Sequence, residues 1–104
     1  MLLFKRKFQA AIYDGTKTQT VRLWRRQIAW PGQVRTAPGI GYLRVLAVDE
    51  IALDDLTETD ATADGFESLA ALRAELDDLY DDDARRTRRC YRVTFEYLGQ
   101  TRPE

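Results

Sequence analysis

Residues 15–24 read Gly-Thr-Lys-Thr-Gln-Thr-Val-Arg-Leu-Trp, and their pattern constrains both the fold and the site. Gly15 is suited to end a preceding helix, since glycine adopts the left-handed C-terminal conformation at little cost. The residues after it are rich in β-formers and alternate, which predicts a strand over residues 18–24. Alternation places four side chains on one face of that strand: Thr18, Thr20, Arg22 and Trp24. Lys17 precedes this face on a stem long enough to swing over it.

Helices and further strands are predicted on both sides of this strand. After a short strand at residues 2–4, a helix is indicated by apolar residues at helical spacing: Phe4, Phe8, Ala11 and Ile12. Thr57 and Ser68 are suited to cap two later helices, and Gly65 to end the first of them. More strands are predicted at residues 33–36, 42–48 and 91–97. The order β-α-β-β-β-α-α-β lacks strict βαβ repeats, so it predicts an α+β fold: a small, mixed, curled sheet with helices packed over its openings.

Composition limits the class of protein. The 104 residues, 44% apolar and 32% charged, predict one globular domain over residues 1–104. No apolar run is long enough to span a membrane, and no signal peptide is expected at the start. Because Cys90 is the only cysteine and histidine is absent, an internal disulfide and histidine-dependent catalysis are excluded, and no zinc site is expected. We therefore expect a cytoplasmic protein without a metal or other cofactor.

The net charge of −1 hides a segregated pattern. Lysine and arginine dominate residues 1–46, aspartate and glutamate dominate residues 47–83, and arginine dominates residues 84–104. Such segregation permits a basic face of the kind that binds a polyanion such as RNA. Pairing of the acids and bases across the fold explains the same pattern equally well. The acidic helices are also compatible with a protein partner. The aspartate run at residues 77–83 lacks the spacing of a calcium loop and predicts a solvated helix end.

The segment Gly15-Thr16-Lys17-Thr18-Gln19-Thr20-Val21-Arg22 resembles the signature of the ASCH family, which is related to the PUA RNA-binding fold. That signature is Gly-x-Lys, then Thr or Glu three residues after the lysine, then Arg two residues later. Four further segments resemble the family in order and with compatible gaps: Pro31-Gly32-Gln33-Val34, Leu53-Asp54-Asp55-Leu56-Thr57-Glu58, Ala63-Asp64-Gly65-Phe66 and Tyr91-Arg92-Val93-Thr94-Phe95. The resemblance implies a small PUA-like β-barrel with helices over its openings and a cleft lined by the signature strand.

Activities proposed for this family range from RNA binding to hydrolysis of an acetyl group from a modified cytidine. The chain is most similar in length and layout to small bacterial N4-acetylcytidine amidohydrolases, and this implies a catalytic set of Lys17, Thr20 and Asp64. A threonine hydroxyl needs a neighbouring base to act as nucleophile, and a lysine acts as that base only when its pKa falls. Asp64 would supply the acid, although it stands where those enzymes carry the longer glutamate.

A binding module is the other interpretation of the same residues. Here Lys17, Arg22 and Trp24, with the flanking Arg25 and Arg26, would hold RNA, a nucleoside or a nucleotide by stacking and phosphate contacts. Each candidate residue also has a purely structural interpretation. In that interpretation Lys17 is a solvated loop residue, Thr20 an ordinary strand residue and Arg22 the ion-pair partner of an acidic residue. Asp64 is a helix or turn cap, and Trp24 is part of the core.

Overall fold

A four-stranded sheet forms the centre of the computed structural model, which describes residues 1–103. Its strands are β1 (Gln19–Trp24), β2 (Val34–Ala37), β3 (Gly41–Ile51) and β4 (Arg89–Gly99), in the spatial order β1-β4-β3-β2. All three pairings are antiparallel. Because β4 is the last strand in the chain yet lies between β1 and β3, the two ends of the sequence are brought together in one sheet. Glu104, the last residue of the predicted domain, lies outside the described range.

Short helices lie in two segments of the chain, one before β1 and one between β3 and β4. A 3-10 turn at Arg6–Phe8 leads into α1 (Gln9–Tyr13), and another at Leu53–Asp55 precedes α2 (Glu58–Ala63), α3 (Leu69–Leu79) and α4 (Asp82–Thr87). Thr57 and Asp60 form a reciprocal capping box on α2, and the Ser68 hydroxyl accepts the Ala71 N–H at the start of α3. Both caps confirm the sequence prediction. None of these helices within residues 1–103 is long and apolar enough to cross a membrane.

The α+β class is confirmed, whereas the expected mixed, closed barrel is not observed among residues 1–103. The sheet is antiparallel throughout and open, with β1 and β2 at its edges. At the outer edge of β1 no further strand of the described chain pairs, because side chains take up the backbone N–H groups. The Val21 N–H donates to the Asp64 carboxylate (3.1 Å), and the Leu23 N–H donates to the Tyr80 hydroxyl (3.3 Å). Residues 2–4 also do not form the predicted strand, although the Leu2 N–H donates to the Thr36 carbonyl at 2.9 Å.

The core is divided between the two faces of the sheet. On one face, Val21 and Leu23 of β1 pack with leucines of α3 and with Ala61 of α2. On the other face, Phe95 and Leu43 pack with residues of α1 and the N-terminal segment. Since β1 is buried on both faces, the side chains along it face either the helices or the opposite core rather than solvent.

Gly41 is a position where the fold requires glycine. Its φ is +139°, and an added Cβ would lie 2.4 Å from the carbonyl oxygen of Gly99 on the neighbouring strand. Gly39 also has a positive φ, +78°, but has open space around it. We expect Gly39→Ala to lower the free energy of unfolding by about 1–2 kcal/mol through backbone strain alone. Gly41→Ala adds the clash and should cost roughly 3 kcal/mol or more. Urea unfolding measures both, and equal losses would contradict the close approach of the two strands.

Candidate functional site

A cavity of about 340 Å³ lies beside the outer edge of β1. Its walls come from the N-terminal segment, β1, the turn between α2 and α3, and α3 itself. Leucine and phenylalanine form most of the apolar lining, and the polar side chains include Lys5, Glu75 and Tyr80 beside four predicted from the sequence: Lys17, Thr20, Arg22 and Asp64. Of these four, Thr20 and Arg22 are on β1 and Lys17 precedes it. Asp64 lies in a turn more than forty residues later in the chain.

Lys17 and Asp64 form a buried ion pair. Their side chains are 2% and 4% exposed, and the Lys17 ammonium donates both to the Asp64 carboxylate and, at 2.6 Å, to the Asp64 carbonyl. Asp64 is held in place because it ends α2 and because its second carboxylate oxygen accepts the Val21 N–H. Lys17 is therefore not a solvated loop residue, and Asp64 joins α2 to the edge of β1.

Three phenylalanine rings surround the Lys17 ammonium. Its Nζ lies 4.6 Å from the ring centroid of Phe8 and 5.9 Å from those of Phe4 and Phe66. Burial among these rings lowers the pKa of Lys17, against the opposing effect of Asp64. Burial likewise raises the pKa of Asp64, against the opposing effect of Lys17. Both shifts favour the neutral forms, so the site brings an amine and a carboxylic acid toward the states that act as base and acid.

Thr20 and Arg22 are joined on the neighbouring face of β1. The Arg22 Nε donates to the Thr20 hydroxyl oxygen at 3.0 Å, and its Nη2 donates to the Leu3 carbonyl at 2.5 Å. The guanidinium also lies over the Phe4 ring, with 4.9 Å between Cζ and the ring centroid. Burial lowers the pKa of Arg22, which nevertheless stays a cation. Since Thr20 accepts from Arg22, its own hydroxyl proton remains free to be donated or removed.

Glu75 and Tyr80 also line the cavity, although no sequence motif marks them as site residues. Glu75 accepts from Lys5 at 2.8 Å and from Lys7, so it ties α3 to the N-terminal segment across the cavity. Tyr80 follows α3 and closes one end of the cavity against β1. A signal for Glu75 exists in the sequence, because it lies one helical turn from both Leu72 and Leu79 and thus beside the apolar stripe of α3.

Trp24, Arg25 and Arg26 lie beyond the cavity. The Trp24 ring is half-buried and packs 5.5 Å from the Tyr91 ring, measured between centroids. Arg25 and Arg26 are exposed in the bend that follows β1. The structure thus brings Lys17, Thr20, Arg22 and Asp64 together at one cavity and leaves the other three predicted binding residues at the far end of the strand. Within residues 1–103, no cluster of acidic or cysteine side chains is arranged to hold a metal ion.

Comparison with known proteins gives matches among solved structures only: no family model and no curated protein sequence matches the chain. The crystal structure of the hypothetical protein PH0355 is similar with a TM-score of 0.76 and 19% identity, over 90% of this chain and 94% of that one. An ASCH domain from Lactobacillus crispatus JV V101 gives a TM-score of 0.72 and 13% identity, over 85% and 68%. Protein EF3133 from Enterococcus faecalis V583, of family DUF984, gives 0.69 and 15%, over 94% and 74%. At these identities the shared property is the fold.

Proposed function

We propose, on the premise that the chain has an ASCH-like fold, that this protein binds a modified nucleoside with its base in the cavity beside β1. The carrying observation is that one cavity gathers Lys17, Thr20, Arg22 and Asp64 beside a wall made largely of leucine and phenylalanine. Small-molecule sites are usually mostly apolar clefts with a few convergent polar groups, and about 340 Å³ falls within their usual range.

The lining suits a planar heterocycle with polar edges. Phe4, Phe8 and Phe66 offer ring faces and edges against which a base can pack. Arg22 has N–H groups beyond the two already bonded to Thr20 and Leu3, and these can donate to a ring nitrogen or a carbonyl. The Asp64 carboxyl and the Thr20 hydroxyl supply acceptor and donor groups for an exocyclic nitrogen. These are the features by which proteins read a base that is not paired in a duplex.

Arg22→Met is expected to weaken binding of N4-acetylcytidine tenfold or more, since a hydrogen bond from a charged donor contributes about 1.5–3 kcal/mol. Methionine keeps an apolar stem over Phe4, so the loss reports the guanidinium. Isothermal titration calorimetry measures the affinity. Arg25→Met is the matched control, because Arg25 is exposed outside the cavity and should leave nucleoside affinity unchanged. Equal effects of the two variants, or no binding of N4-acetylcytidine or cytidine by the wild type, would refute the proposal.

Removal of the acetyl group from N4-acetylcytidine is the second candidate function. The observation in its favour is that Lys17, Thr20 and Asp64 line the same cavity, with pKa shifts of the required directions on Lys17 and Asp64. In this reaction the Thr20 oxygen attacks the acetyl carbon while the neutral Lys17 amine takes the hydroxyl proton. Asp64 protonates the departing exocyclic nitrogen, and cytidine leaves. Water then cleaves the acetyl ester on Thr20 and releases acetate, which restores the starting protein. Arg22, bonded to Thr20, adds positive charge where the oxyanion develops.

A further inference from the structure

The N-terminal segment crosses one side of the cavity as an irregular stretch that is held at both ends. Before it, Leu2 is 2% exposed in the core, and its N–H donates to the Thr36 carbonyl at 2.9 Å. After it, Ile12 of α1 is 1% exposed in the same part of the core. Residues 3–5 belong to no helix or strand, and residues 6–8 form a single 3-10 turn. A short segment of this kind opens locally more easily than the packed elements at its ends.

The cavity meets solvent between this segment and α3. The lining residues that are exposed are Leu3 and Lys5 on the segment and Leu79 at the end of α3, and they mark the mouth of the cavity. The segment also encloses Arg22, because the Leu3 carbonyl accepts from its Nη2 and the Phe4 ring lies on its guanidinium. A base that reaches Arg22 through this mouth therefore passes between the segment and α3.

Glu75 joins the two sides of the mouth. It lies on α3 with its side chain 10% exposed, and its two carboxylate oxygens accept from two lysines of the segment, Lys5 at 2.8 Å and Lys7. These hydrogen bonds lower the pKa of Glu75, so its carboxylate is charged at neutral pH. Lys5 also lies 3.6 Å from Asp78 on the same helix. The lysines are 42% and 56% exposed, and each pair of that kind changes an opening equilibrium by about fivefold at most, so this closure is reversible.

We infer that residues 3–7 form a strap that opens to admit the nucleoside and closes over the bound base, with Glu75 as its latch. The inference rests on the proposed nucleoside site and deepens it by assigning the route of entry. Closure of a loop over a site sequesters the ligand from water, and opening of the loop then limits how fast the ligand is exchanged. Because Glu75 pairs with the strap, the latch controls the rates of entry and exit more than the affinity.

The first measurement needs no ligand. Hydrogen–deuterium exchange of the amides of residues 3–8 reports opening of the strap. Glu75→Gln should speed this exchange roughly fivefold or more, because it removes the charge that holds both lysines. The double variant Lys5→Gln, Lys7→Gln should have the same effect after correction for intrinsic exchange rates, and adding Glu75→Gln to it should have no further effect. Exchange in β4 should stay at the wild-type rate in all of them, and an equal rise there would mean general destabilisation and contradict the latch.

The second measurement follows the binding of N4-acetylcytidine. NMR line-shape analysis of a titration gives the association and dissociation rate constants. Both should rise roughly fivefold in Glu75→Gln, so the affinity should change much less than either constant. Damage to the binding site would instead raise the dissociation rate constant alone and contradict the inference. Glu50→Gln is the matched control, because Glu50 is an exposed glutamate paired with Arg89 outside the cavity lining, and it should change neither the rate constants nor the exchange of residues 3–8.

The two measurements separate the strap from the proposed function. Unchanged exchange of residues 3–8 in the Glu75 and lysine variants would overturn the strap. Faster exchange without a faster association rate constant would also overturn it, since entry would then not require opening. Faster exchange in the variants of a protein that binds neither N4-acetylcytidine nor cytidine would refute the proposed function and still support a latched strap, because exchange is measured without ligand.

Discussion

Lys17→Met is expected to lower the free energy of unfolding by about 3–5 kcal/mol at neutral pH, because it leaves the Asp64 carboxylate buried without its cation. Asp64→Asn should cost a similar amount, since it leaves the Lys17 ammonium among three phenylalanine rings without its counter-charge. The double variant should recover a large part of the loss. It buries no charge, and the introduced amide still offers an oxygen to the Val21 N–H. Urea unfolding of the four proteins measures the coupling directly.

Lys5→Met is the control for removal of a lysine as such. Lys5 bonds to Glu75 but is 42% exposed, and pairs of that kind contribute about 0–1 kcal/mol. A loss as large as that of Lys17→Met would mean that burial is not the cause. A double variant as unstable as the two single losses added together would show that Lys17 and Asp64 do not act as a pair.

The pH dependence of stability provides a second check on the same pair. The pKa of Lys17 is lowered by burial, so below 10.5 there is a range in which the unfolded chain holds more protons, and stability rises with pH across it. The pKa of Asp64 is raised by burial, so above 3.8 there is a range in which the folded chain holds more protons, and stability falls as pH rises across it. The wild type should therefore lose stability relative to the double variant above pH 3.8 and regain it as pH approaches 10.5. A difference that is constant with pH would contradict both shifts.

Sequence patterns among neighbouring residues predict most of the helices and strands. The strand over residues 19–24 and the caps at Thr57 and Ser68 depend on neighbours within a few positions, so the sequence contains the information needed to predict them. The helix α4 is not predicted, because its six residues include one buried apolar side chain, Ala84, and therefore no periodicity. Its start is set by the Asp81 side chain, which accepts the Ala84 N–H within a run of aspartates that by itself indicates a solvated helix end. The open sheet is not predictable either, because it depends on Asp64 and Tyr80 reaching the edge of β1.

The candidate site shows the same division between local and distant information. Alternation in β1 correctly places Thr20 and Arg22 on one face, where the structure shows them hydrogen-bonded. The rings around Lys17 come from residues 4, 8 and 66, and no local pattern indicates that these converge on one ammonium group. Alternation also puts Trp24 on the face of Thr20, but it carries no information on how far the cavity extends along the strand. The ring instead packs on Tyr91, which belongs to the neighbouring strand.

Thr20→Val is expected to reduce release of cytidine from N4-acetylcytidine by about a thousandfold or more if the second candidate function is correct, since it deletes the attacking oxygen and keeps the shape. Thr20→Ser keeps a hydroxyl and should retain measurable turnover. Thr18→Val is the matched control, because Thr18 is an exposed threonine just before β1 and outside the cavity lining, so its loss should leave turnover unchanged. Chromatographic detection of cytidine and acetate measures the reaction.

The same experiment separates catalysis from binding. A Thr20→Val protein that binds N4-acetylcytidine but does not cleave it would identify Thr20 as the nucleophile, since loss of a binding contact alone would lower the affinity and leave turnover of the bound nucleoside. Asp64→Glu then tests the acid, because a carboxyl group one methylene longer reaches a different point in the cavity, and a shift of about 1 Å changes rates by about a hundredfold. A wild-type protein that binds the nucleoside and releases no cytidine at high protein concentration would remove the hydrolase function. The buried pair of Lys17 and Asp64 would then serve to shape and hold a binding site.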